Sequence, residues 1–218
     1  MSAGAGASSH PTTPEGLLLA AGAGTRMGLA KALVIDEQGQ PWVRRAASAL
    51  LDGGCPTVTV VLGAHADEAA ELIADLRGTR VVLAADWEDG MGSSLRAGLA
   101  DLATRDAHCA VVSLVDLPDV PAGVVARLLR YRGGGRDTLA RASYDGRPGH
   151  PVLLGRSHWA GVAATAQGDR GARDYLEAHP HVLVECGDLA TGEDVDVPGR
   201  VAGPSRVTRA RPGPGSPG

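Results

Sequence analysis

The chain has 218 residues and a formal net charge of -4, with 44% apolar and 21% charged residues, an ordinary balance for a globular protein. That charge leaves no basic field for holding nucleic acid nonspecifically or for docking on a membrane surface. No apolar run approaches the ~18 residues of a membrane span. No cation precedes Arg26 and no apolar core precedes Pro14, so no signal peptide is expected and a cytoplasmic location is.

Phe is absent and Trp and Tyr number 3 each, so the core must be built from Leu, Val and Ala. Such a core suits a parallel sheet flanked by Ala-rich helices. Lys and Arg total 21, yet Lys31 is the only lysine. The arginine excess reads as GC-rich coding bias, which makes the exception worth following. Cys55, Cys109 and Cys186 are odd in number, far apart and set among apolar residues. They are expected as buried free thiols, and they show no zinc spacing.

Taken in chain order, residues 1–13 are small and polar and are expected to be a disordered tail. Leu17 to Ala20 is a short buried strand running into the Gly-rich stretch Ala21 to Gly28. Pro41 opens a helix that Gly53-Gly54 terminates. Val58 to Leu62 is a continuous apolar strand, followed by a helix over Ala66 to Leu76. Arg80 to Leu83 is a third strand, and Ser93 caps a helix running to Ala103. Ala110 to Val115 is a fourth strand ending at Asp116, ahead of a helix over Ala122 to Arg132.

The pattern then changes. Asp137 to Tyr144 and Pro151 to Leu154 flank DGRPGH as a hairpin or bulged excursion. Short helices near Ser157 to Ala166 and Gly171 to Ala178 precede a strand over His181 to Glu185. Residues 199–218 are rich in Pro, Gly and Arg and are expected to be a second disordered tail. The spacing therefore predicts one three-layer α/β domain over 14–198 with a mostly parallel sheet, its accessory elements over about 137–176.

LLLAAGAGTRMGLAK, residues 17–31, carries the strongest chemical signal. A strand that opens into glycines exposes successive backbone N–H groups to phosphate oxygens, with no Cβ in the way. Arg26 and Lys31 add a fork and a point charge. A structural turn explains the glycines but not the two cations. A Rossmann dinucleotide site needs an acid closing the second strand, which here ends VVLGAHA. A P-loop needs G-K-[ST], which is missing.

The motif LAAGAGTRMGLAK resembles the signature of the MobA-like nucleotidyltransferases, the family of molybdenum cofactor cytidylyl- and guanylyltransferases. The resemblance implies a Rossmann-like nucleotidyltransferase fold over about 15–198. It implies that Leu19, Ala20, Ala21 and Gly22, with Gly24 and Thr25, meet the nucleotide, and that Arg26 and Lys31 meet the triphosphate.

The second segment is DWEDGMGSSLRAGLA, residues 86–100. By itself it reads as a capped amphipathic helix. In the family a similar helix start supplies a serine to the base, and Ser94 occupies that place, with Gly90 and Gly98 expected to let backbone approach the ligand. Relatives often carry Asn near where Ala84 stands, so base selectivity has to come from elsewhere. In VVSLVDLPDV an acid closes a buried strand, where open α/β sheets bind ligands. It reads as a structural salt bridge or as a ligand for Mg²⁺, which favours one or two carboxylates plus phosphate oxygens. The family's D-x-P element matches Asp116 and Pro118. In GEDVDVP its D-[IV]-D-T-P element matches Asp194, Asp196 and Pro198, with Val197 in place of Thr. By resemblance Asp116 and Asp196 hold the magnesium.

GRPGHPVLLGRSHW and QGDRGARDYL are similar to the family's acceptor region, which assigns Gly149, His150, Gly168, Asp169 and Gly171 to the acceptor. The Gly168 loop is expected ahead of a helix N-terminus, and His150 reads as structural more readily than as a base.

The resulting expectation is a Mg²⁺-dependent transfer of a nucleoside monophosphate from an NTP, CTP before GTP, with Arg26, Lys31 and Asp116 as the catalytic groups. The implied acceptor is molybdopterin or its molybdenum-loaded form, with a molybdenum enzyme as a further partner. Competing readings are the same chemistry on a sugar phosphate, a nicotinamide- or flavin-linked oxidoreductase, and a noncatalytic nucleotide-binding chaperone.

Overall fold

A computed structural model describes residues 13–24, 29–131, 135–195 and 200–201. Its elements are β1 (Pro14–Leu19), β2 (Val34–Ile35), α1 (Trp42–Asp52), β3 (Thr57–Leu62), α2 (Ala66–Glu71), β4 (Thr79–Leu83), α3 (Met91–Ala103), β5 (Cys109–Leu114) and α4 (Ala122–Arg130). They continue with β6 (Leu139–Tyr144), β7 (Arg147–Gly155), α5 (Trp159–Thr165), α6 (Arg173–Ala178), β8 (Val182–Glu185) and β9 (Arg200–Val201). Seven strands form one sheet in the order β4-β3-β1-β5-β7-β6-β8. β4, β3, β1 and β5 run parallel, β7 opposes β5 and β6, and β8 runs parallel to β6. This is the expected three-layer α/β fold with a mostly parallel sheet.

The continuous apolar runs are strands because both their faces are covered. Leu18, Val58 and Val111 point into the layer that holds α1 and α4. Leu17, Val61 and Val112 point into the layer built from α3, α5 and α6. The carboxyl ends of β1, β3, β4 and β5 therefore lie together along one rim of the sheet, where α/β sheets receive ligands. Cys55, Cys109 and Cys186 are buried free thiols, and burial pushes Cys55 up to about 12 and Cys109 up to about 11.

Several boundaries differ from the pattern. α2 stops at Glu71 because Ile73, Ala74 and Leu76 donate to residues three back, tightening the chain into turns short of Leu76. α4 ends at Arg130, short of Arg132. α3 starts at Met91, so Ser93 is not its cap: its hydroxyl donates to the Gly90 carbonyl from inside the first turn. The hairpin strand β7 begins at Arg147, because Asp145 and Gly146 both take positive φ and make the tight reversal. A two-residue pairing of β2 with β9 places Arg200 and Val201 in a strand beyond Pro198, where a tail was expected. The other tail residues lie outside the described residues. Among the described residues no helix is long and apolar enough to cross a membrane.

Candidate active site

The glycine-rich loop leaves the rim of the sheet at a defined point. Leu19 accepts from Val115 N–H and Ala20 donates to the Val61 carbonyl, so both are still held by flanking strands. Ala21 still gives its carbonyl to Ala64 N–H, but beyond Ala20 the amides change character. The N–H groups of Ala21, Gly22, Ala23 and Gly24 have no hydrogen-bond partner among the described residues. Four successive unpaired donors at a strand end make an anion-binding concavity. The Leu19 carbonyl and the Ala20 N–H thus serve the sheet, and the amides without a partner among the described residues begin at Ala21.

Two glycines of this loop have different reasons to be there. A Cβ on Gly22 would meet nothing within 4 Å, so this position faces open space. Gly24 has φ +60, and a Cβ there would lie 1.8 Å from the Leu29 carbonyl oxygen. Only glycine lets the chain fold back here. Thr25 and Arg26, expected on the nucleotide, lie outside the described residues.

Lys31 opens a short 3-10 turn, Lys31–Leu33, and returns to the rim. Its Nζ lies 2.8 Å from Asp116 Oδ2, across 85 residues of chain, with side-chain exposures of 19% and 18%. The other oxygen, Asp116 Oδ1, is buried and has no hydrogen-bond partner among the described residues. A buried carboxylate oxygen without a donor is costly unless something positive meets it. The Asp116 carbonyl accepts from Val195 N–H at 3.0 Å. Asp119 holds the same segment, accepting from Thr191 N–H at 2.6 Å, Thr191 Oγ1 at 2.7 Å and Gly192 N–H at 3.2 Å. Residues 191–195 are thus stitched onto the loop after β5, with Val195 against Asp116. Asp196 lies outside the described residues.

This donor set fits a divalent cation. A carboxylate oxygen without a hydrogen bond, next to unpaired amides that would bring phosphate oxygens, is the hard-oxygen environment that Mg²⁺ prefers. No group of three candidate ligand side chains exists among the described residues.

The helix after β4 is organised differently from its expected role. Ser94 is buried in the first turn of α3 and makes no hydrogen bond among the described residues, which leaves its hydroxyl available. A Cβ on Gly98 would lie 2.4 Å from Leu17 Cδ1 and 3.0 Å from Val61 Cγ2, so this glycine lets α3 lie close on the sheet. Gly90, at φ +100, is likewise corrected. A Cβ on it would meet the Gly168 carbonyl carbon at 2.6 Å and Asp169 Oδ1 at 2.7 Å. Gly92 meets Ala166 and Gln167 at 2.8 Å each, and Arg96 donates to the Ala166 carbonyl. The Gly168 loop therefore docks against the start of α3. It was expected to serve the helix that follows it, but α6 begins only at Arg173 and spans 6 residues. Asp169 places its carboxylate at the N-terminal end of α3, where the helix dipole favours negative charge. Gly171, at φ +54, sits against Met91 Sδ in the same junction.

Gly90→Ala is expected to destabilise the protein by about 1–3 kcal/mol, since it meets both a positive φ and rigid backbone. Gly22→Ala, facing open space, should change stability by no more than about 0.5 kcal/mol. Urea unfolding of the two variants checks the contrast.

Gly149 also serves packing. A Cβ there would lie 2.7 Å from the Tyr144 ring, and one on Gly192 would lie 2.1 Å from the same ring. Tyr144 is thus clasped between Gly149 of the hairpin and Gly192, and its hydroxyl donates to the His150 carbonyl at 2.5 Å. Burial and the Arg141 and Arg173 guanidiniums push the His150 imidazole down to about 4. It is a neutral ring at pH 7 and a weak base, in keeping with its structural reading.

One residue of this rim, Trp87, escapes sequence patterns. Trp87 packs over Gly63, where a Cβ would lie 2.4 Å from Trp87 Cγ and 2.8 Å from the Ala21 carbonyl oxygen. The indole thus stands beside the glycine-rich loop, close to the buried Ala84. The adjacency of Trp87 to DGMGSS was the one available signal.

An anion cradle of backbone amides, a lysine and a rim carboxylate, set at the strand ends of a mostly parallel sheet, defines a nucleotide-handling α/β protein. A family model described as the MobA-like NTP transferase domain matches residues 16–182. The chain belongs to that family. It is 41% identical over 188 residues to the nicotine blue oxidoreductase of Paenarthrobacter nicotinovorans, covering 83% of this chain and 91% of that protein. Among solved structures it is similar to Rv0371c from Mycobacterium tuberculosis H37Rv, with 25% identity, a TM-score of 0.69, and coverage of 86% of this chain and 94% of that one. A manganese complex of Rv0371c matches at 24% identity and a TM-score of 0.65, covering 80% of this chain and 89% of that one.

Proposed function

We propose that this protein is a divalent-metal-dependent nucleotidyltransferase. It moves a nucleoside monophosphate, CMP before GMP, from an NTP to a phosphorylated acceptor and releases pyrophosphate. Molybdopterin or its molybdenum-loaded form is the acceptor the motifs favour, and a molybdenum enzyme is the partner that would receive the product. The observation that carries this reading is the Lys31–Asp116 pair with its unpartnered Oδ1, set beside four unpaired amides. The CTP preference rests on LAAG together with GRPGHP and GDRGAR.

In this reading the Ala21–Gly24 amides cradle phosphate oxygens, while Lys31 and Arg26 offset the charge of the triphosphate and of the departing pyrophosphate. Asp116 and Asp196 are the carboxylates that would hold Mg²⁺, which supplies charge neutralisation at the phosphates when bound. An acceptor phosphate oxygen bonds to the α-phosphorus as the bond to the β-phosphate oxygen breaks. The acceptor is already ionised at pH 7, so no general base is required, consistent with a weakly basic His150. Holding two polyanions in attack geometry can supply about 7–11 kcal/mol of the barrier.

A second reading is favoured by one observation, the 41% identical relative named as an oxidoreductase. There the same amide cradle would hold the pyrophosphate of a nicotinamide nucleotide. Pyrophosphate release from CTP or GTP with molybdopterin and Mg²⁺ tests the first reading. NADPH binding with no dependence on metal, together with no pyrophosphate release, would establish the second.

A further inference from the structure

The loop after β5 carries a second acid, Asp119, that the proposed chemistry does not use. Beyond Asp116 the chain makes a reverse turn in which Val120 N–H donates to the Leu117 carbonyl at 3.3 Å. Pro118 stands at the second position of that turn, where its fixed φ favours the reversal. Leu117 and Val120 are buried with Tyr144 and Cys186, while Asp119 between them is exposed. The turn therefore directs the Asp119 carboxylate away from the core and onto Thr191 and Gly192. Its Oδ2 takes all three of the hydrogen bonds described above. The Thr191 hydroxyl extends the contact, accepting from Glu193 N–H at 3.3 Å while it donates to Asp119.

The chain just before Thr191 is held by other means. Cys186 and Ala190 pack into the apolar cluster under the turn, and Arg127 holds the Glu185 carbonyl and the Asp188 carboxylate, each at 2.8 Å. From Thr191 to Asp194 there is no apolar side chain to bury, and Thr191, Glu193 and Asp194 are exposed. Gly192, at φ +66, bends this run against the Tyr144 ring. Val195 N–H then meets the Asp116 carbonyl at 3.0 Å. The DLPD loop thus grips one polar run at two points, by the Asp119 carboxylate at its start and by the Asp116 carbonyl at its end. A carboxylate oxygen has about two lone-pair sites, so Asp119 Oδ2 is fully engaged, unlike Asp116 Oδ1.

We infer that Asp119 is a positioning residue: through Thr191 and Gly192 it fixes residues 191–195 against Asp116, so that the chain there presents a carboxylate to the divalent cation. This role deepens the proposed function and rests on it for the place of the cation at Asp116. Groups that orient metal ligands without touching the metal tune its affinity strongly. The role also gives Pro118 a purpose beyond the match to a motif, since the turn it favours aims Asp119 at Thr191.

Mn²⁺ alone, titrated against the full chain and counted by electron paramagnetic resonance, is the test, with amide hydrogen exchange in the metal-free protein beside it. Asp119→Ala and Thr191→Val should each weaken Mn²⁺ binding by about ten- to a hundredfold. Both should speed exchange of the Val195 amide by about tenfold or more, with the β5 amides unchanged. Thr191→Ser keeps the hydroxyl and should restore both readings. Asp188→Asn, which loosens only the exposed pair with Arg127, should leave both as in the parent. Weakened Mn²⁺ binding in Asp119→Ala but not in Thr191→Val would make Asp119 a metal ligand and overturn the inference. A lowered melting temperature with unchanged Mn²⁺ affinity in both variants would overturn it too, as would a parent that binds no Mn²⁺. Pyrophosphate release separates the two levels. A parent that binds Mn²⁺, loses it in both variants and yet releases no pyrophosphate sinks the transferase reading alone. A parent that releases pyrophosphate, with Mn²⁺ affinity unchanged in both variants, sinks this role alone.

Discussion

Asp116→Asn is expected to lower pyrophosphate release by roughly 10²–10³-fold, the scale of losing one electrostatic contact made at developing charge. The substitution keeps volume and shape, and its carbonyl oxygen can still accept from Lys31 Nζ, now 2.8 Å from Oδ2. What it removes is the negative charge and the free carboxylate oxygen, Oδ1, which has no hydrogen-bond partner. The fold has little reason to resist. The Asp116 carbonyl, which anchors Val195, is untouched, and the expected stability change is no more than about 1.5 kcal/mol. A merely structural ion pair predicts the reverse, with lost stability and retained turnover. Pyrophosphate release and urea unfolding measured on one preparation decide between them.

Much of this arrangement is legible in the sequence because it is local. Continuous apolar runs ending in Gly or Asp mark β1, β3 and β5, and their carboxyl ends define the rim. The Lys31 and Asp116 positions follow from the motif, but their contact spans 85 residues and no periodicity encodes it. Glycine is the most ambiguous letter in the chain. Gly90, Gly98 and Gly149 each mark a close approach, and sequence cannot say to what. Their neighbours are the Gly168 loop and Leu17, supplied by distant segments, and Tyr144, supplied from across the same hairpin. Arg141 is hidden for a related reason. On β6 its Nε donates across the hairpin to the Gly149 carbonyl at 2.7 Å, at the irregularity opposite it in β7, which no periodicity reveals. Helix ends were also obscure where turns of i to i+3 type replace a helix without any break in the apolar pattern, as after Glu71.

Lys31→Arg keeps the charge and is nonetheless expected to lose about 10²-fold in turnover, close to the loss from removing a single preorganised donor. The ammonium is a compact point charge on a flexible stem, whereas a guanidinium is planar, broader and fixed in fork geometry. Lys31 lies in a narrow place. Its side chain is 19% exposed and meets Asp116 Oδ2 directly, while its neighbours Ala30 and Ala32 are buried. An arginine there would favour a bidentate grip on Asp116, engaging the free Oδ1 as well as Oδ2. That would occupy the carboxylate oxygen proposed for the metal and pull the cation away from the triphosphate. The variant should therefore bind Mg²⁺·CTP more weakly and release pyrophosphate slowly, yet unfold at the same urea concentration as the parent or higher. The comparison also gives the single lysine among 21 basic residues its meaning. Coding bias towards arginine would readily have replaced it at a site where only charge mattered. Full activity in Lys31→Arg would show that charge alone suffices and that the exception is an accident of composition.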